Sequence, residues 1–181
     1  MNITKYHPCE IEKILRTMVI LVDTREQNTP KAKKRYSQFG CEVERKALKF
    51  GDYSARLTGL DGEEINLESI VCIERKMGLD ELCSCFCHGR ERFRREFERA
   101  LNVNAKVYLL IENDTLDDAY AGAYRSKMSA NSLTASILAW SIEFGIMPYF
   151  ISSQRSGKLI HDILYREAKA YLERQEVLED A

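Results

Sequence analysis

The sequence predicts an α/β fold in which a central mixed β-sheet is flanked by helices. Short, unbroken apolar runs bounded by polar residues occur at residues 18–22, 70–73, 107–111 and, more weakly, 147–151. Runs of this kind are typical of strands that are covered on both faces. Longer segments between them carry the apolar spacing of helices. Strands that alternate with helices indicate an α/β sheet.

Five segments carry helical patterns, namely residues 30–39, 79–87, 90–101, 129–144 and 157–172. The first begins with Pro30, and proline suits the first turn of a helix. Residues 41–67 differ, because polar and apolar residues alternate there and Gly59 and the pair Asp61-Gly62 mark turns. We therefore predict an antiparallel meander after the first helix, and so a mixed sheet.

The length of 181 residues suits one domain with a single sizeable core. We predict that this domain spans residues 18–175, after an N-terminal extension at 1–17 that adds a capping helix and before a tail at 176–181. No apolar run reaches eighteen residues, so we expect neither a signal peptide nor a membrane span. The i, i+2 spacing of Cys83, Cys85 and Cys87 suits neither secreted disulfides nor a zinc knuckle, which favours a reducing cytoplasm.

The charge is unevenly distributed along the chain. A net charge of −1 would ordinarily argue against nucleic acid as a partner, since lysine and arginine supply most of the affinity for phosphate. Positive charge is nevertheless gathered at residues 31–35 and 90–99, whereas acids are dense at residues 61–68 and near the C-terminus. This distribution predicts a basic face opposite an acidic one.

Polar residues stand where the predicted strands end, which is where α/β proteins place their sites. They are Asp23, Arg25 and Glu26 after the first strand, Gly51-Asp52 in the meander, Glu74-Arg75-Lys76 at the end of the strand that starts at residue 70, and Asp80 shortly afterwards. Side chains alternate along a strand, so Glu74 and Lys76 point to the same face. Both can therefore reach one point in a cleft.

These residue types suit phosphodiester cleavage. Carboxylate oxygens bind Mg²⁺ or Mn²⁺, and we predict Asp52 and Glu74 as metal ligands. Asp23 and Glu26 either complete the metal shell or hold a second ion. Lys76 either stabilises the charge that develops on the phosphate or, if its pKa is lowered, helps to take the proton of the attacking water.

Two arginines accompany these acids. A guanidinium binds phosphate or carboxylate through two parallel hydrogen bonds. Arg25 and Arg75 are therefore suited either to gripping a phosphate or to holding the acids in place. These alternatives remain open at the level of sequence.

The same residues resemble the motifs of the XPF-type structure-specific endonuclease domain (XPF/Hef/Mus). The pattern of this family is similar to Gly51-Asp52 followed by Glu74-Arg75-Lys76 and Asp80, together with the segment Val-Asp-Thr-Arg-Glu at residues 22–26. The likeness covers roughly residues 18–170. It implies a restriction-endonuclease-like, PD-(D/E)XK core that uses Mg²⁺ or Mn²⁺ to cut branched or flapped duplex DNA. It also implies that Asp23, Asp52, Glu74 and Lys76 form the catalytic set, supported by Arg25, Glu26, Arg75 and Asp80.

The resemblance further implies a dimer. Members of the family commonly carry a tandem helix-hairpin-helix module after the nuclease domain, for which this sequence leaves no room. We therefore expect a homodimer formed through the C-terminal helices at residues 129–144 and 157–172, with a helicase or a helix-hairpin-helix protein as a further partner. The expected location is the cytoplasm, in association with the nucleoid if the source is bacterial or viral.

Several residues have a plainer interpretation beside the functional one. The predicted DNA contacts are Arg90, Arg25, Arg75, Lys33 and Lys34. The arginine-rich helix at residues 90–99 is, however, also typical of a solvated surface with i, i+4 ion pairs. Residues 31–35 are likewise typical of the exposed face of a surface helix. A helix-capping role is the alternative for Asp80. Trp140 and Phe144 fit the core or a subunit interface better than base stacking.

The cysteine cluster, together with His88, invites a zinc interpretation. Residues at i and i+2 of a helix point about 200° apart, however, so the sulfurs of Cys83, Cys85 and Cys87 would not converge on one ion. We expect small core or surface residues there.

Three functional hypotheses follow. The first is a metal-dependent endonuclease for branched DNA. The second is a DNA-binding module of the same fold that depends on a partner subunit for catalysis. The third is a restriction-type or Holliday-junction nuclease that shares the core but differs in substrate.

Overall fold

A computed structural model describes residues 5–175 of the chain. Its seven strands are β1 (Val19–Asp23), β2 (Glu42–Lys46), β3 (Tyr53–Thr58), β4 (Glu64–Asn66), β5 (Val71–Lys76), β6 (Lys106–Glu112) and β7 (Met147–Ile151). Its helices are α1 (Pro8–Leu15), α2 (Pro30–Tyr36), α3 (Leu79–Cys87), α4 (Arg90–Asn102), α5 (Leu116–Ala121), α6 (Ala130–Phe144) and α7 (Ser156–Glu173). The strands form one sheet in the order β2-β1-β3-β5-β6-β7, with β4 beside β3.

The sheet is mixed, as predicted. Strands β1 and β2, β5 and β6, and β6 and β7 are parallel, whereas β3 runs antiparallel to β1, β4 and β5. The prediction of an antiparallel meander over residues 41–67 is wrong for its first strand, since β2 pairs in parallel with β1 from Val19↔Glu42 to Asp23↔Lys46. Helix α2 provides the crossover that a parallel pair requires, so only β3 and β4 form a hairpin.

Strand β7 differs from its prediction in burial. The sequence predicts cover on both faces, but β7 is the last strand in the sheet order, and Pro148 and Tyr149 are exposed. Proline lacks a backbone N–H and is tolerated at an edge, where that group would have no strand to bind.

The predicted helices form with small changes at their ends, and one helix is additional. Helix α3 has the predicted bounds, while α2 ends at Tyr36 and Phe39 lies buried in the turn that follows. The short helix α5 is not predicted. Its signal is a capping box in which Thr115 and Asp118 satisfy each other's backbone N–H groups.

Helices cover the sheet on two faces. Helices α1, α2 and α7 lie on one side, hereafter the α7 face, where Ile73 of β5 and Leu110 of β6 are buried. Helices α3, α4 and α6 lie on the other side, hereafter the α6 face, where Cys72 of β5 and Leu109 of β6 are buried. Adjacent residues of one strand thus belong to different cores.

The N-terminal extension forms the predicted helix, but it is part of the main core. Ile11, Ile14 and Leu15 of α1 are buried with the apolar residues of α7. The predicted boundary at residue 17 therefore lies within one packing unit. The predicted tail at 176–181 lies outside the described residues, and no helix between residues 5 and 175 has the length and apolar character needed to cross a membrane.

Candidate active site

Asp52 is fixed at the carboxyl end of β5 by its backbone and its side chain. Its N–H donates to the carbonyl oxygen of Ile73 at 2.8 Å, and its Oδ2 accepts the backbone N–H of Arg75 at 2.8 Å. The preceding Gly51 has a φ of +71°, and a Cβ at this position would lie 2.8 Å from the Cβ of Cys72. The turn that presents Asp52 therefore requires glycine, both for its backbone conformation and for its close approach to β5.

Glu74 and Lys76 extend from β5 on the α6 face, so their predicted same-face placement is confirmed. Lys76 Nζ donates to Glu74 Oε1 at 2.6 Å and lies 4.8 Å from the ring centroid of Phe93. Both side chains are buried, with 8% of Glu74 and 7% of Lys76 exposed. A buried charge is costly unless it is paired, which explains why the two side chains contact each other.

The ammonium group of Lys76 remains charged. Burial lowers its pKa, but the negative charges of Glu74 and Asp52 and the hydrogen bond to Glu74 outweigh burial and raise the pKa above its ordinary value. The raised pKa favours the alternative in which Lys76 stabilises negative charge over the one in which it takes a proton from water.

The pKa of the Asp52 carboxyl group is also raised, which here favours the neutral form. Burial raises its pKa well above the ordinary range, and the negative charge of Glu74 raises it further, while Lys76 and the N–H of Arg75 oppose the shift. Two carboxylates in one partly buried place favour a cation. Mg²⁺ is commonly held by one or two carboxylates together with waters and substrate phosphate, so this pair fits such an ion.

The carboxylate of Asp23, the predicted third ligand, is engaged elsewhere, although the backbone N–H of Asp23 donates to the carbonyl oxygen of Asp52 at 2.9 Å. Oδ1 of Asp23 accepts from the backbone N–H and Nε of Arg25, both at 2.7 Å, and its Oδ2 accepts the N–H of Leu48 at 2.7 Å. Only 1% of Asp23 is exposed, and its pKa is lowered because the hydrogen bonds from Arg25 and Leu48 outweigh burial, which acts in the opposite direction. Asp23 thus holds the turn after β1, and the described residues contain no group of three or more acidic, cysteine or histidine side chains arranged to bind a metal.

A network of two arginines and two glutamates occupies the α7 face. Arg75 contacts Glu112 Oε2 at 3.1 Å and Glu26 Oε1 at 3.2 Å. Arg35 contacts Glu112 Oε1 at 3.1 Å and Glu26 Oε1 at 3.0 Å. Glu26 and Arg75 are therefore members of this network, hereafter the Arg35–Arg75 network, which lies on the opposite side of β5 from Glu74. Holding acidic side chains is one of the two roles predicted for Arg75.

Sequence reasoning missed Arg35 and Glu112 as members of this network. The sequence assigns residues 31–35 to a surface helix face, but Arg35 is only 5% exposed because it reaches across to β6. Glu112 carries a signal that could have found it, since it ends an apolar strand as Glu74 does. Arg35 carries none, because its buried partners lie far away in the sequence.

Comparison with protein families identifies the fold and its motifs together. The model of the ERCC4 domain matches residues 22–163, which include the turn at Asp52 and the end of β5. The chain belongs to the ERCC4 domain family. The resemblance to the XPF-type nuclease domain and the prediction of a restriction-endonuclease-like α/β fold are thereby confirmed.

Solved structures with this fold include two of XPF from the archaeon Aeropyrum pernix. The first is 20% identical, with a TM-score of 0.58 and coverage of 80% of this chain and 64% of that one. The second, in complex with DNA, is 20% identical with a TM-score of 0.59, covering 84% of this chain and 66% of that one. This ERCC4 domain thus spans just under two thirds of those XPF chains, and no curated protein matches it.

Asp80 has a structural role in this ERCC4 domain. Its Oδ1 accepts the backbone N–H groups of Arg125 and Ser126 at 2.8 and 2.9 Å, and its Oδ2 accepts Nε of Arg125 at 2.8 Å. It thereby fixes the loop before α6 and does not join Asp52 and Glu74. Asp80 lies in the first turn of α3, where a negative charge suits the helix N-terminus, but it makes no capping hydrogen bond, and the N–H of Leu79 is bound by Asp114 Oδ2 at 2.6 Å.

Four of the five predicted DNA contacts lie on the surface of the ERCC4 domain, whereas the side chain of Arg75 is largely buried in the Arg35–Arg75 network. Arg90 is exposed and stacks over the ring of Trp140 at 5.1 Å, while Lys33 and Lys34 are exposed on α2. Trp140 and Phe144 are buried in an aromatic cluster of the α6 face, so the core interpretation is confirmed for both.

The three cysteines of α3 differ in their surroundings. Cys83 is buried, Cys85 is half-buried and Cys87 is exposed. Because the helix turns between successive residues, their sulfurs face different environments, as the spacing predicts.

Proposed function

We propose that this domain is a divalent-metal-dependent DNA endonuclease that cuts near branches or flaps. The observation that carries the proposal is the buried Glu74–Lys76 pair at the end of a central strand, with the carboxylate of Asp52 held at the same strand end by the backbone N–H of Arg75. An ion pair that only stabilised the fold would not need a second buried carboxylate, because that carboxylate costs free energy when no cation accompanies it. Membership of the ERCC4 family supports DNA as the substrate.

The two carboxylates and the lysine have different tasks. Asp52 and Glu74 would hold Mg²⁺ or Mn²⁺, which supplies Lewis acidity and a water of lowered pKa when bound. Lys76 stays protonated and stabilises the negative charge that develops on the phosphate oxygens. The N–H of Arg75 orients the carboxylate of Asp52, so that both acids are positioned before substrate binds.

We further propose a homodimer formed through α6, with α7 contributing less than the sequence suggests. Leu138 and Ile142 of α6 are 51% and 85% exposed. The apolar residues of α7, such as Ile160 and Leu164, are instead buried against the sheet. An exposed apolar helix face in a family of dimers is best explained by a second copy.

The dimer is tested by light scattering during gel filtration. We expect a dimer for the unmodified protein, a monomer for Ile142→Asp, and a dimer for Asn131→Asp, which adds the same charge at an exposed position of α6. A monomeric unmodified protein at micromolar concentration would contradict the proposal.

The nuclease proposal is tested with end-labelled flap, splayed-arm, nicked and four-way DNA, in Mg²⁺ or Mn²⁺ and in EDTA. We expect metal-dependent cuts near the junction that disappear in Asp52→Asn. Binding without cutting would overturn the proposal in favour of a module that depends on a partner for catalysis. Cutting confined to one palindrome or to four-way DNA would point instead to a restriction-type or Holliday-junction nuclease.

A further inference from the structure

An open cleft of about 910 Å³ lies at the carboxyl ends of β1, β5 and β6, beside the Arg35–Arg75 network, with most of its lining on the α7 face and Glu81 of α3 at one side. Helix α2 and the segment before α7 form its walls, and Gly157 allows this close approach because a Cβ there would collide with the carbonyl oxygen of Arg35. Arg75 and Met77 line the cleft, whereas Asp52, Glu74 and Lys76 do not. The cleft and the carboxylate pair therefore lie on opposite sides of the end of β5.

The floor and the rim of the cleft differ in charge. On the floor, Arg35 and Arg75 are neutralised by Glu26 and Glu112. On the rim, Lys31 and Lys34 are exposed, and neither forms an ion pair with another residue of the described stretch. Because i and i+3 share a helix face, both ammonium groups project over the same side of the cleft. Arg25 and Glu81 also line the cleft, and Arg25 is paired with Asp23 and Glu96. The two lysines are therefore opposed by Glu81 alone, and the net positive rim favours a polyanion.

The rest of the lining suits nucleotides as well as phosphate. Gln27 and Gln154 bring side-chain amides, and Met77, which is 58% exposed, provides an apolar surface at the rim. Asn113 fixes this part of the rim, since its Nδ2 donates to the carbonyl oxygen of Met77 at 3.1 Å and its Oδ1 accepts the N–H of Ser153 at 3.0 Å. Amides can bind base edges, and an apolar surface can pack against a base.

We propose that this cleft binds the unpaired strand of the DNA substrate, which it holds apart from the duplex that reaches Asp52 and Glu74. A cleft of about 910 Å³ has room for a short stretch of single strand, whose phosphates and bases its lysine rim and side-chain amides can contact. The assignment of DNA rests on the proposed nuclease function. Duplex and single strand would then lie on different sides of the carboxyl end of β5, which gives the selection of branched DNA a physical basis.

The test measures binding of a fluorescent oligothymidylate and of a blunt duplex by anisotropy, in EDTA, so that cleavage does not contribute. The variant Lys31→Glu/Lys34→Glu reverses both rim charges. Lys13→Glu/Arg16→Glu makes the same change at two exposed residues with the same i, i+3 spacing at the end of α1, neither of which lines the cleft. We expect the rim variant to weaken oligothymidylate binding at least tenfold and duplex binding less than threefold, and Lys13→Glu/Arg16→Glu to weaken either less than twofold.

The salt dependence gives a second measure of the same contacts. Each phosphate neutralised on a single strand contributes a slope of about −0.7 to log K against log salt. Replacing both rim lysines by alanine should therefore make this slope less steep by about 1.4. An unchanged slope would overturn the proposal, as would equal losses of affinity in Lys13→Glu/Arg16→Glu and the rim variant.

Binding and cleavage separate this proposal from the proposed function. If Asp52→Asn abolishes cleavage but the rim variants do not change single-strand binding, the nuclease stands and the cleft assignment fails. If no substrate is cut but oligothymidylate binding depends on Lys31 and Lys34, the cleft assignment stands and the nuclease fails.

Discussion

The backbone N–H of Arg75 donates to Asp52 Oδ2 at 2.8 Å, while the side chain of Arg75 contacts Glu112 and Glu26 on the opposite face of the sheet. One residue thus joins the carboxylate pair to the Arg35–Arg75 network. Since the backbone makes one contact and the side chain makes the other, a substitution of the side chain leaves the hydrogen bond to Asp52 available.

Replacing Asp52 with asparagine should lower the cleavage rate by about a hundredfold or more. It should also raise the free energy of unfolding of the metal-free protein by about 1 kcal/mol. The pKa of Asp52 is raised by burial and by Glu74, so its favourable contribution to stability exists below the ordinary pKa of aspartate and is lost as the pH rises through the folded-state value. The gain should therefore be present at pH 8 and absent near pH 4. Thermal unfolding in EDTA checks it, and a lower melting temperature at pH 8 would contradict it.

Lys76→Met should lower the free energy of unfolding by about 3–5 kcal/mol, because it leaves the buried Glu74 without its partner. The double variant Glu74→Gln/Lys76→Met removes both charges and should recover most of this loss, while remaining inactive. Urea denaturation of the two single variants and the double variant completes the cycle. Additive losses would show that the two side chains do not stabilise each other.

Gly51→Ala should lower the free energy of unfolding and impair cleavage, since its Cβ would collide with Cys72 and displace Asp52. Gly40→Ala is a matched control, because Gly40 has a φ of +70° and nothing within 4 Å of an added Cβ. Backbone strain alone costs about 1–3 kcal/mol in either case. We expect Gly51→Ala to cost more than Gly40→Ala, and only Gly51→Ala to reduce cleavage; equal effects would rule out the collision.

Arg35→Met should cost about 3–5 kcal/mol, because it leaves Glu26 and Glu112 buried without one of their two cations. Lys33→Met, on the same helix but exposed, should change stability by less than about 0.5 kcal/mol. Urea denaturation distinguishes the buried interpretation of Arg35 from the surface one. Similar small changes in both variants would place Arg35 on the surface.

Asp23→Asn should lower the free energy of unfolding by about 2 kcal/mol at pH 7, because asparagine offers one oxygen where Asp23 uses two. The pKa of Asp23 is lowered in the folded protein, since hydrogen bonds outweigh burial, so its contribution is present above the ordinary aspartate pKa, about 3.9, and is lost as the pH falls through the folded-state value. The difference between the two proteins should thus be constant from pH 5 to 7 and shrink below pH 4. A difference that persists at pH 2 would show that packing, not charge, is responsible.

The sequence by itself determined the features that depend on neighbouring residues. The apolar runs of β1, β5 and β6 identified central strands, and the alternation of side chains placed Glu74 and Lys76 on one face. These inferences succeeded because strand periodicity is a local property of the chain.

Only the tertiary structure decided which acids meet. Asp23 and Asp52 look equivalent in sequence. The carboxylate of Asp23, however, accepts hydrogen bonds from Arg25 and Leu48, whereas the carboxylate of Asp52 is close enough to Glu74 for the two charges to interact. Arg35 resembles its lysine neighbours until it is seen to contact Glu112, 77 residues away. Contacts over such separations depend on strand order and helix packing, so the division of β5 into a carboxylate face and a cleft face became visible only in the folded chain.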